Sequence, residues 1–462
     1  MHYDSLIQIR DRLVAGEVTS VQVTSALLQR IAALEGDLKA FALILKERAL
    51  AQAEALDQKL AAGGKPGPLH GVPIAVKDLI YLQGYPNASG TRVMADFVPT
   101  FDATVLERLE QAGAVVVGKT QLTEGAFGSH HPDIDPPRNP WGAQWWTGVS
   151  SSGSGVAAAA GLAYATLGSD TGGSIRFPSA ACGLVGVKPT YGRVSRHGVF
   201  PLAESLDHIG PMTRTVADAA LMLGVMAGYD DADSTSLSEP VPDYVSSCLS
   251  ENSLDGVKIG IDWEYCTAGV DDEVVEELRR VADQFVALGA QLVEVTLPAS
   301  YRDLVSGWGI TCGVECARAH AAYYPARAYE YGPVLSQLIE LGRAVPPDRY
   351  ALLEHVREVF RSGFDALLEQ VDVFLSPCMT CLPLPVEVME NTAAAEDSRA
   401  DFITFTAPFD YSGHPTLTLP AGVRGGKPVS FQLVGPWLGE AQLFSIGTAY
   451  ENLQGVQPHP PL

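Results

Sequence analysis

The spacing of apolar residues divides the chain into a helical beginning and a longer part in which strands and helices alternate. Over the first 62 residues apolar side chains recur every three or four positions, which predicts helices. Ser5 and Ser20 stand where N-caps of these helices are expected. The apolar positions that define the second helix are Val21, Leu27, Leu28, Ile31 and Leu34.

From Gly71 onward, short runs of β-branched residues alternate with amphipathic stretches. Buried strands are predicted at Val72–Val76, Val115–Val117 and Val257–Ile261. A helix predicted over Asp271–Leu288 leads into a strand over Gln291–Val295. This alternation is typical of α/β proteins with a largely parallel sheet. No internal repeat and no long Ser/Gly- or Pro-rich linker interrupts it.

Composition and charge narrow the classes of protein that fit this pattern. The 462 residues are 47% apolar and 18% charged, which suits a globular chain with a sizeable core. The net charge of −23 argues against nucleic acids and anionic membranes as partners, because both require a basic surface. More than half of this charge lies in residues 229–297. We interpret that segment as a solvated face, with a docking surface for a basic partner as the alternative.

The cellular compartment is predicted from cysteine usage and from the first residues. Seven cysteines spread over a long chain indicate reduced thiols, since an odd number does not suit a disulfide framework. The first residues, Met1 to Ser5, show neither the basic nor the apolar region of a secretory signal. We therefore expect a soluble cytoplasmic protein.

Three motifs imitate ligand-binding sites. Gly113–Thr120 matches a phosphate loop, but its middle residues are the predicted strand and cannot form the required turn. Gly153–Ala158 fits a relaxed dinucleotide fingerprint, although no apolar strand precedes it. Four cysteines could supply thiolates to zinc, although buried apolar thiols are the favoured interpretation. They are Cys312, Cys316, Cys378 and Cys381. We expect no metal and no cofactor.

The densest chemistry lies in residues 147–176. Two glycine-rich, serine-bearing turns are joined there by a helix of small residues and a short strand, so the two turns can lie side by side. Consecutive small residues from Thr171 to Ser174 allow several backbone N–H groups to converge, as an oxyanion site requires. Ser174 is therefore a candidate nucleophile that needs a base.

Neither turn contains histidine, which leaves Lys77 as the candidate base. Lys77 ends the apolar strand, and burial can lower a lysine pKa by about 3–5 units. The alternative is that Lys77 only pairs with Asp78 or Asp170. The residues by themselves leave both interpretations open.

At these positions the sequence resembles the amidase signature family, and the resemblance extends over nearly the whole chain. The matching stretches are residues 67–78, 113–124, 138–141, 148–154, 168–178, 183–193, 419–422 and 431–435. The resemblance implies one α/β domain, 1–462, with a mixed central β-sheet flanked by α-helices. Within it we expect a helical portion 1–65, a signature core 66–228, a substrate-shaping portion 229–400 and a return to the core at 401–462.

The resemblance also implies roles for individual residues. Ser174 matches the family's nucleophile, Lys77 its base, and Ser150 the proton relay that follows a cis peptide bond. Ser150 and Ser174 are 24 residues apart, as in the family. The backbone N–H groups of Thr171, Gly172, Gly173 and Ser174 are the predicted oxyanion hole.

Further residues are predicted to support the site. Asp170 and Arg176 are expected to brace the nucleophile loop. Trp145, Trp146, Ser151 and Cys316 are candidates for the substrate pocket, with core packing as the alternative. Val149 stands where the family has glycine, and this departure concerns substrate shape rather than the triad.

The predicted function is that of an amidohydrolase cleaving a small amide, such as an aryl amide, carbamate or lactam, with a homodimer as the candidate assembly. The alternative is the glutaminase-like component of a tRNA-dependent amidotransferase. The run Ser150-Ser-Ser-Gly-Ser154 is closer to free-standing amidases. A non-catalytic binding protein on this fold is a third hypothesis, which retention of all three triad residues disfavours.

Overall fold

The computed structural model describes residues 1–249, 253–389 and 402–462. Its strands, numbered along the chain, are β1 Phe41–Ile44, β2 Pro73–Lys77, β3 Val115–Thr120, β4 Ala165–Asp170, β5 Val185–Lys188, β6 His208–Thr213, β7 Lys258–Ile261, β8 Gln291–Glu294, β9 Val373–Pro377, β10 Thr416–Arg424 and β11 Lys427–Val434. They form one sheet in the order β1-β3-β2-β4-β6-β5-β10-β11-β9-β7-β8.

Helices flank this sheet. They are α1 Leu6–Val14, α2 Ser20–Leu38, α3 Lys46–Ala61, α4 Thr104–Gln111, α5 Ser152–Ala159, α6 Arg176–Cys182, α7 Val216–Met226, α8 Tyr244–Ser247, α9 Trp263–Thr267, α10 Asp272–Ala287, α11 Tyr301–Ala319, α12 Pro333–Ala344, α13 Pro347–Leu368, α14 Ala407–Ser412 and α15 Glu440–Gln454. None of these helices combines the length and the apolar character that crossing a bilayer requires.

The single α/β domain with a mixed sheet is confirmed, whereas the expectation of a largely parallel sheet is wrong. Strands β2, β3 and β4 run parallel, as do β7, β8 and β9. Every other neighbouring pair is antiparallel. Short apolar runs are typical of buried strands of either direction, so their composition does not reveal orientation.

Two details of the N-terminal region differ from the prediction. Strand β1 interrupts the helices and pairs with β3, because Phe41 is buried there beside the central sheet. Ser5 caps α1 as expected, but α2 is capped by Thr19, whose side chain accepts the N–H of Gln22. Ser20 lies inside the helix, and its hydroxyl donates to the carbonyl of Gly71.

The helix of small residues, α5, determines how closely the two serine-bearing turns approach each other. It packs on β2, β3, β4 and β6. A side chain at Gly153 would lie only 2.3 Å from the carbonyl oxygen of Ala40, so the contact requires glycine. Strand β3 includes Val115 to Val117, which confirms that the apparent phosphate loop is a strand.

Candidate active site

Three segments meet at the carboxyl ends of the parallel strands β2 and β4. Lys77 is the last residue of β2, and Ser169 and Asp170 end β4. Ser150 and Ser151 immediately precede α5, which lies against both strands. Because parallel strands place their carboxyl ends at one edge, the predicted base and the two turns come together.

The amine of Lys77 is fully buried in a cage of serine hydroxyls. Its Nζ lies 2.7 Å from Ser150 Oγ, 2.8 Å from Ser151 Oγ and 2.8 Å from Ser169 Oγ. The neighbouring Asp78 instead pairs with Lys119 at 2.8 Å. The alternative of a Lys77–Asp78 pair is therefore wrong.

Burial lowers the pKa of Lys77 to about 7, although the nearby carboxylates of Asp170 and Asp207 oppose this shift. The neutral form of the amine is then accessible near neutral pH. A neutral amine has two N–H donors and one lone pair. Ser151 donates its own proton to the Ser169 carbonyl at 3.2 Å, so it must accept from Lys77. The lone pair is left for the hydroxyl of Ser150 or Ser169.

Ser150 and Ser174 face one cavity of about 880 Å³. The peptide bond between Val149 and Ser150 is cis, as the resemblance implies. The N–H of Ser151 donates to the carbonyl of Ser174 at 3.3 Å, which ties the two turns together. Ser174 is half-buried, and no hydrogen bond joins its hydroxyl to Ser150 among the described contacts.

A buried ion-pair cluster holds the loop that carries Ser174. Asp170 accepts the N–H of Gly173 at 2.6 Å and that of Ile175 at 2.9 Å. It also receives Arg176 through Nε at 3.0 Å and Nη2 at 2.8 Å. Burial by itself would raise the pKa of Asp170, but the Arg176 guanidinium holds it below its usual range. The arrangement fits the bracing role expected for both residues.

The four N–H groups predicted to form the oxyanion hole are not equivalent. That of Gly173 is occupied by Asp170. Those of Thr171, Gly172 and Ser174 have no acceptor among the residues that the structure describes. Three donors at this loop are therefore available to a bound oxyanion.

Aromatic side chains line much of the cavity, including Trp145 and Trp146 as predicted. Ser151 lies behind the cavity, in the cage around Lys77. Cys316 is fully buried in α11 and is not among the lining residues. Its burial raises the pKa of the thiol, which suits a packed, unreactive side chain.

Four further aromatic residues of the cavity were missed by the sequence interpretation. They are Phe127, Phe177, Trp308 and Phe402. Trp308 stacks near Phe127 and donates its indole N–H to the carbonyl of Thr171 at 2.9 Å. Of these four, only Phe177 lies in a stretch that the sequence singled out, residues 168–178, where it directly follows Arg176. Asp207, which accepts the Thr171 hydroxyl, and Asp410, which pairs with Arg176, were also missed, since each lies far along the chain from that partner.

The seven cysteines are free, and six of them are buried. In the described segments no three His, Cys, Asp or Glu side chains are grouped so that they could hold a metal ion.

Comparison with known proteins shows which family the chain belongs to. Residues 22–444 match the Amidase family. The chain is 42% identical to AmiD of Mycobacterium tuberculosis, an amidase by its name, over 99% of this chain and 95% of that protein. It is 38% identical to the A component of the glutamyl-tRNA(Gln) amidotransferase of a Roseiflexus species, over 98% and 97% of the two chains.

A solved structure shows the same architecture. Peptide amidase from Stenotrophomonas maltophilia superposes with a TM-score of 0.84 at 30% identity, covering 99% of this chain and 98% of that one. Since both the sequence and the fold match over nearly their full lengths, the chain belongs to the amidase signature family and is a hydrolase that acts on amides.

Proposed function

We propose that this chain hydrolyses a linear C–N bond of a small amide through an acyl-enzyme on Ser174, with Ser150 and Lys77 as the proton relay. The observation that carries the proposal is the 2.7 Å contact between Lys77 Nζ and Ser150 Oγ, at the edge of the cavity that Ser174 also faces. A buried amine with a pKa of about 7 is suited to accept a proton near neutral pH.

In the proposed mechanism, Ser174 Oγ attacks the amide carbon as its proton passes to Ser150 and the Ser150 proton passes to Lys77. The free N–H groups of the loop stabilise the oxyanion, each contributing about 3 kcal/mol. The relay then returns a proton to the leaving nitrogen as the C–N bond breaks. Water attacks the resulting ester by the same relay, which releases the acid and restores Ser174.

The walls of the cavity support a substrate with an uncharged apolar group, such as an aryl amide, carbamate or lactam. Among the described residues, two charged side chains line it, Arg138 and Glu387, and both are exposed. Trp146 and Phe177 are buried against the cavity, next to Phe402. Burying aromatic surface is favourable, whereas a charged group placed beside these rings would lack a partner within the part of the chain that the structure describes.

We also propose that the middle portion of the chain, residues 229–400, shapes the substrate pocket and so determines which substrate fits. It contributes Trp308, Pro385 and Met389 to the cavity, whereas the triad comes from the signature core. Differences in substrate between this chain and its relatives are then expected to follow changes in this portion.

The alternative is the glutaminase-like component of a tRNA-dependent amidotransferase, favoured by 38% identity to the Roseiflexus protein over almost the whole chain. That function requires recognition of free glutamine, whose amino and carboxylate groups are charged, and it requires a partner protein. It predicts poor activity of the purified chain and co-purification with the partner. A self-sufficient hydrolase, as monomer or homodimer, would exclude it.

The test is a screen of anilides, primary amides and carbamates with the wild type and a Ser174→Ala variant, read as release of amine or ammonia. We expect loss of turnover and of fluorophosphonate labelling in the variant. Ser179→Ala is the matched control, because Ser179 is a buried hydroxyl in the adjacent helix with no partner among the described residues. Unchanged turnover in Ser174→Ala would refute the assigned nucleophile.

A further inference from the structure

A second buried carboxylate, Asp207, lies beside the proposed catalytic loop. Asp207 directly precedes β6, and Thr171 directly follows β4. Because Asp170 pairs with His208 in the antiparallel β4–β6 ladder, Thr171 and Asp207 lie opposite each other at its end. Asp207 is 6% exposed and forms no ion pair with any described residue. Its carboxylate is held by hydrogen bonds: Leu202 N–H donates at 3.0 Å, and Ala203 N–H and the Thr171 hydroxyl also donate.

One of those donors is the hydroxyl of Thr171, 2.6 Å from Asp207 Oδ1. On its other side, the carbonyl of Thr171 accepts the Trp308 indole N–H at 2.9 Å. Thr171 is therefore held at two points, directly before the glycines of the loop. Since oxyanion stabilisation depends on N–H groups that are fixed before the reaction, this anchoring affects the rate.

The same carboxylate also acts on the base. Asp207 and Ser169 line a second cavity of about 280 Å³, and Ser169 Oγ contacts Lys77 Nζ at 2.8 Å. Burial raises the pKa of Asp207 to about 6, and the charge of its carboxylate raises the pKa of Lys77. Arg196 and Glu315 also act on Asp207 from a distance, the first lowering and the second raising its pKa.

The other carboxylates near Lys77 already have cation partners. Asp170 is paired with Arg176, and Asp78 with Lys119. Asp207 is the neighbouring carboxylate without an ion-pair partner among the described residues. Asp207 therefore lacks the directly bonded cation that Asp170 and Asp78 have.

We propose that Asp207 is a positioning residue with two separable effects on the Ser174 reaction. Its Oδ1 anchors Thr171 of the oxyanion loop, and its negative charge stabilises the protonated form of Lys77. The inference rests on the proposed function of Lys77 and Ser174. On this proposal one side chain both fixes the position of the oxyanion loop and sets the pH range over which Lys77 can act as a base.

The experiment measures the rate of fluorophosphonate labelling as a function of pH, which needs no knowledge of the substrate. The labelling rate should rise with pH as Lys77 loses its proton, and we call this rise the acid limb of the profile. In Asp207→Asn the negative charge is lost but a hydrogen bond to Thr171 can form, so the acid limb is expected to move to lower pH by roughly half to one unit. In Thr171→Val the charge remains but the hydrogen bond to Asp207 is lost, so the plateau rate is expected to fall roughly tenfold while the acid limb stays at the same pH. Thr171→Ser restores the hydroxyl and is expected to recover most of that rate.

Two results would overturn the inference. The charge effect is refuted if Asp207→Asn has the acid limb of the wild type. The separation of the two effects is refuted if Thr171→Val moves the limb as far as Asp207→Asn does. Melting temperatures verify that each variant is folded. If Thr171→Val does not fold, Thr171→Ser is compared with the wild type and with Asp207→Asn instead. Failure of the proposed function is recognised separately, because the wild type would then label no faster than Ser174→Ala.

Discussion

Replacing Lys77 by methionine is expected to abolish activity and, near neutral pH, to make the protein slightly more stable. Methionine fills a similar volume without an ionisable group. The wild type must bury an amine that is protonated in the unfolded chain, and burial lowers its pKa from 10.5 to about 7 in the folded state. Folding therefore costs free energy that the methionine variant does not spend.

The size of this cost depends on pH in a defined way. Between pH 7 and 10.5 the unfolded chain binds more protons at Lys77 than the folded one, so wild-type stability rises with pH in that window. The cost is about 4 kcal/mol at pH 7 and about 1 kcal/mol at pH 10, since one pKa unit corresponds to about 1.4 kcal/mol. Three serine hydroxyls lose a partner in the variant, at about 1 kcal/mol each. The variant should therefore be about 1 kcal/mol more stable at pH 7 and about 2 kcal/mol less stable at pH 10.

The assay is urea unfolding of both proteins at several pH values, with the free energies compared at each pH. Titrating groups whose pKa does not depend on Lys77 are common to both proteins and cancel in the difference. Lys65→Met, at an exposed position, is the control and should show no such trend. A difference between the Lys77 variant and the wild type that stays constant from pH 7 to 10 would refute a buried, largely neutral amine.

Three further substitutions test other parts of the site. Ser150→Ala interrupts the relay and is expected to lower kcat by about 10²–10⁴-fold while the melting temperature changes little, and comparable turnover would argue against a relay through this hydroxyl. Arg176→Met leaves the buried carboxylate of Asp170 without its cation, removes the contact with Asp410 and is expected to cost about 3–5 kcal/mol of unfolding free energy in urea, whereas a loss below 1 kcal/mol would contradict the bracing role. In Gly172→Ala the new Cβ would lie 2.6 Å from the Trp308 ring, so a fall in kcat of about tenfold or more is expected; Gly309→Ala, with open space around it, is the control.

Local patterns made Lys77 a candidate base for the serine cluster, and the family resemblance assigned it that role. Lys77 ends an apolar strand and the small residues of α5 allow close approach, but these patterns left open whether Lys77 only pairs with a carboxylate. That Ser151 and Ser169 complete a cage around the amine depends on how β4 lies beside β2. Sheet pairing between distant segments leaves no trace in composition, which is also why strand direction was mispredicted.

Contacts between distant segments limited the prediction of the pocket and the loop. Trp308 reaches Thr171 from a helix 137 residues further along the chain, and its own neighbours give no sign of this role. The N–H of Gly173 was assigned to the oxyanion hole with its neighbours, but it points to Asp170. The sequence shows that the backbone can form a tight turn at Gly173. Only the three-dimensional structure shows which acceptor each N–H group of the loop reaches.

The charges around Lys77 explain how a buried amine can be neutral near pH 7 while carboxylates lie nearby. Asp170, whose charge acts more strongly on Lys77 than that of Asp207, is paired with Arg176 at 2.8 Å. Asp410 lies 2.6 Å from the same guanidinium, and burial raises its pKa well above the ordinary range, which disfavours a second carboxylate charge there. The positive charge of Arg176 therefore compensates the charge of Asp170. A second ionised carboxylate in this cluster would favour the ammonium form of Lys77 and remove the base. Because Arg176 compensates the charge of Asp170, burial outweighs the remaining carboxylate charge and leaves the amine able to accept a proton.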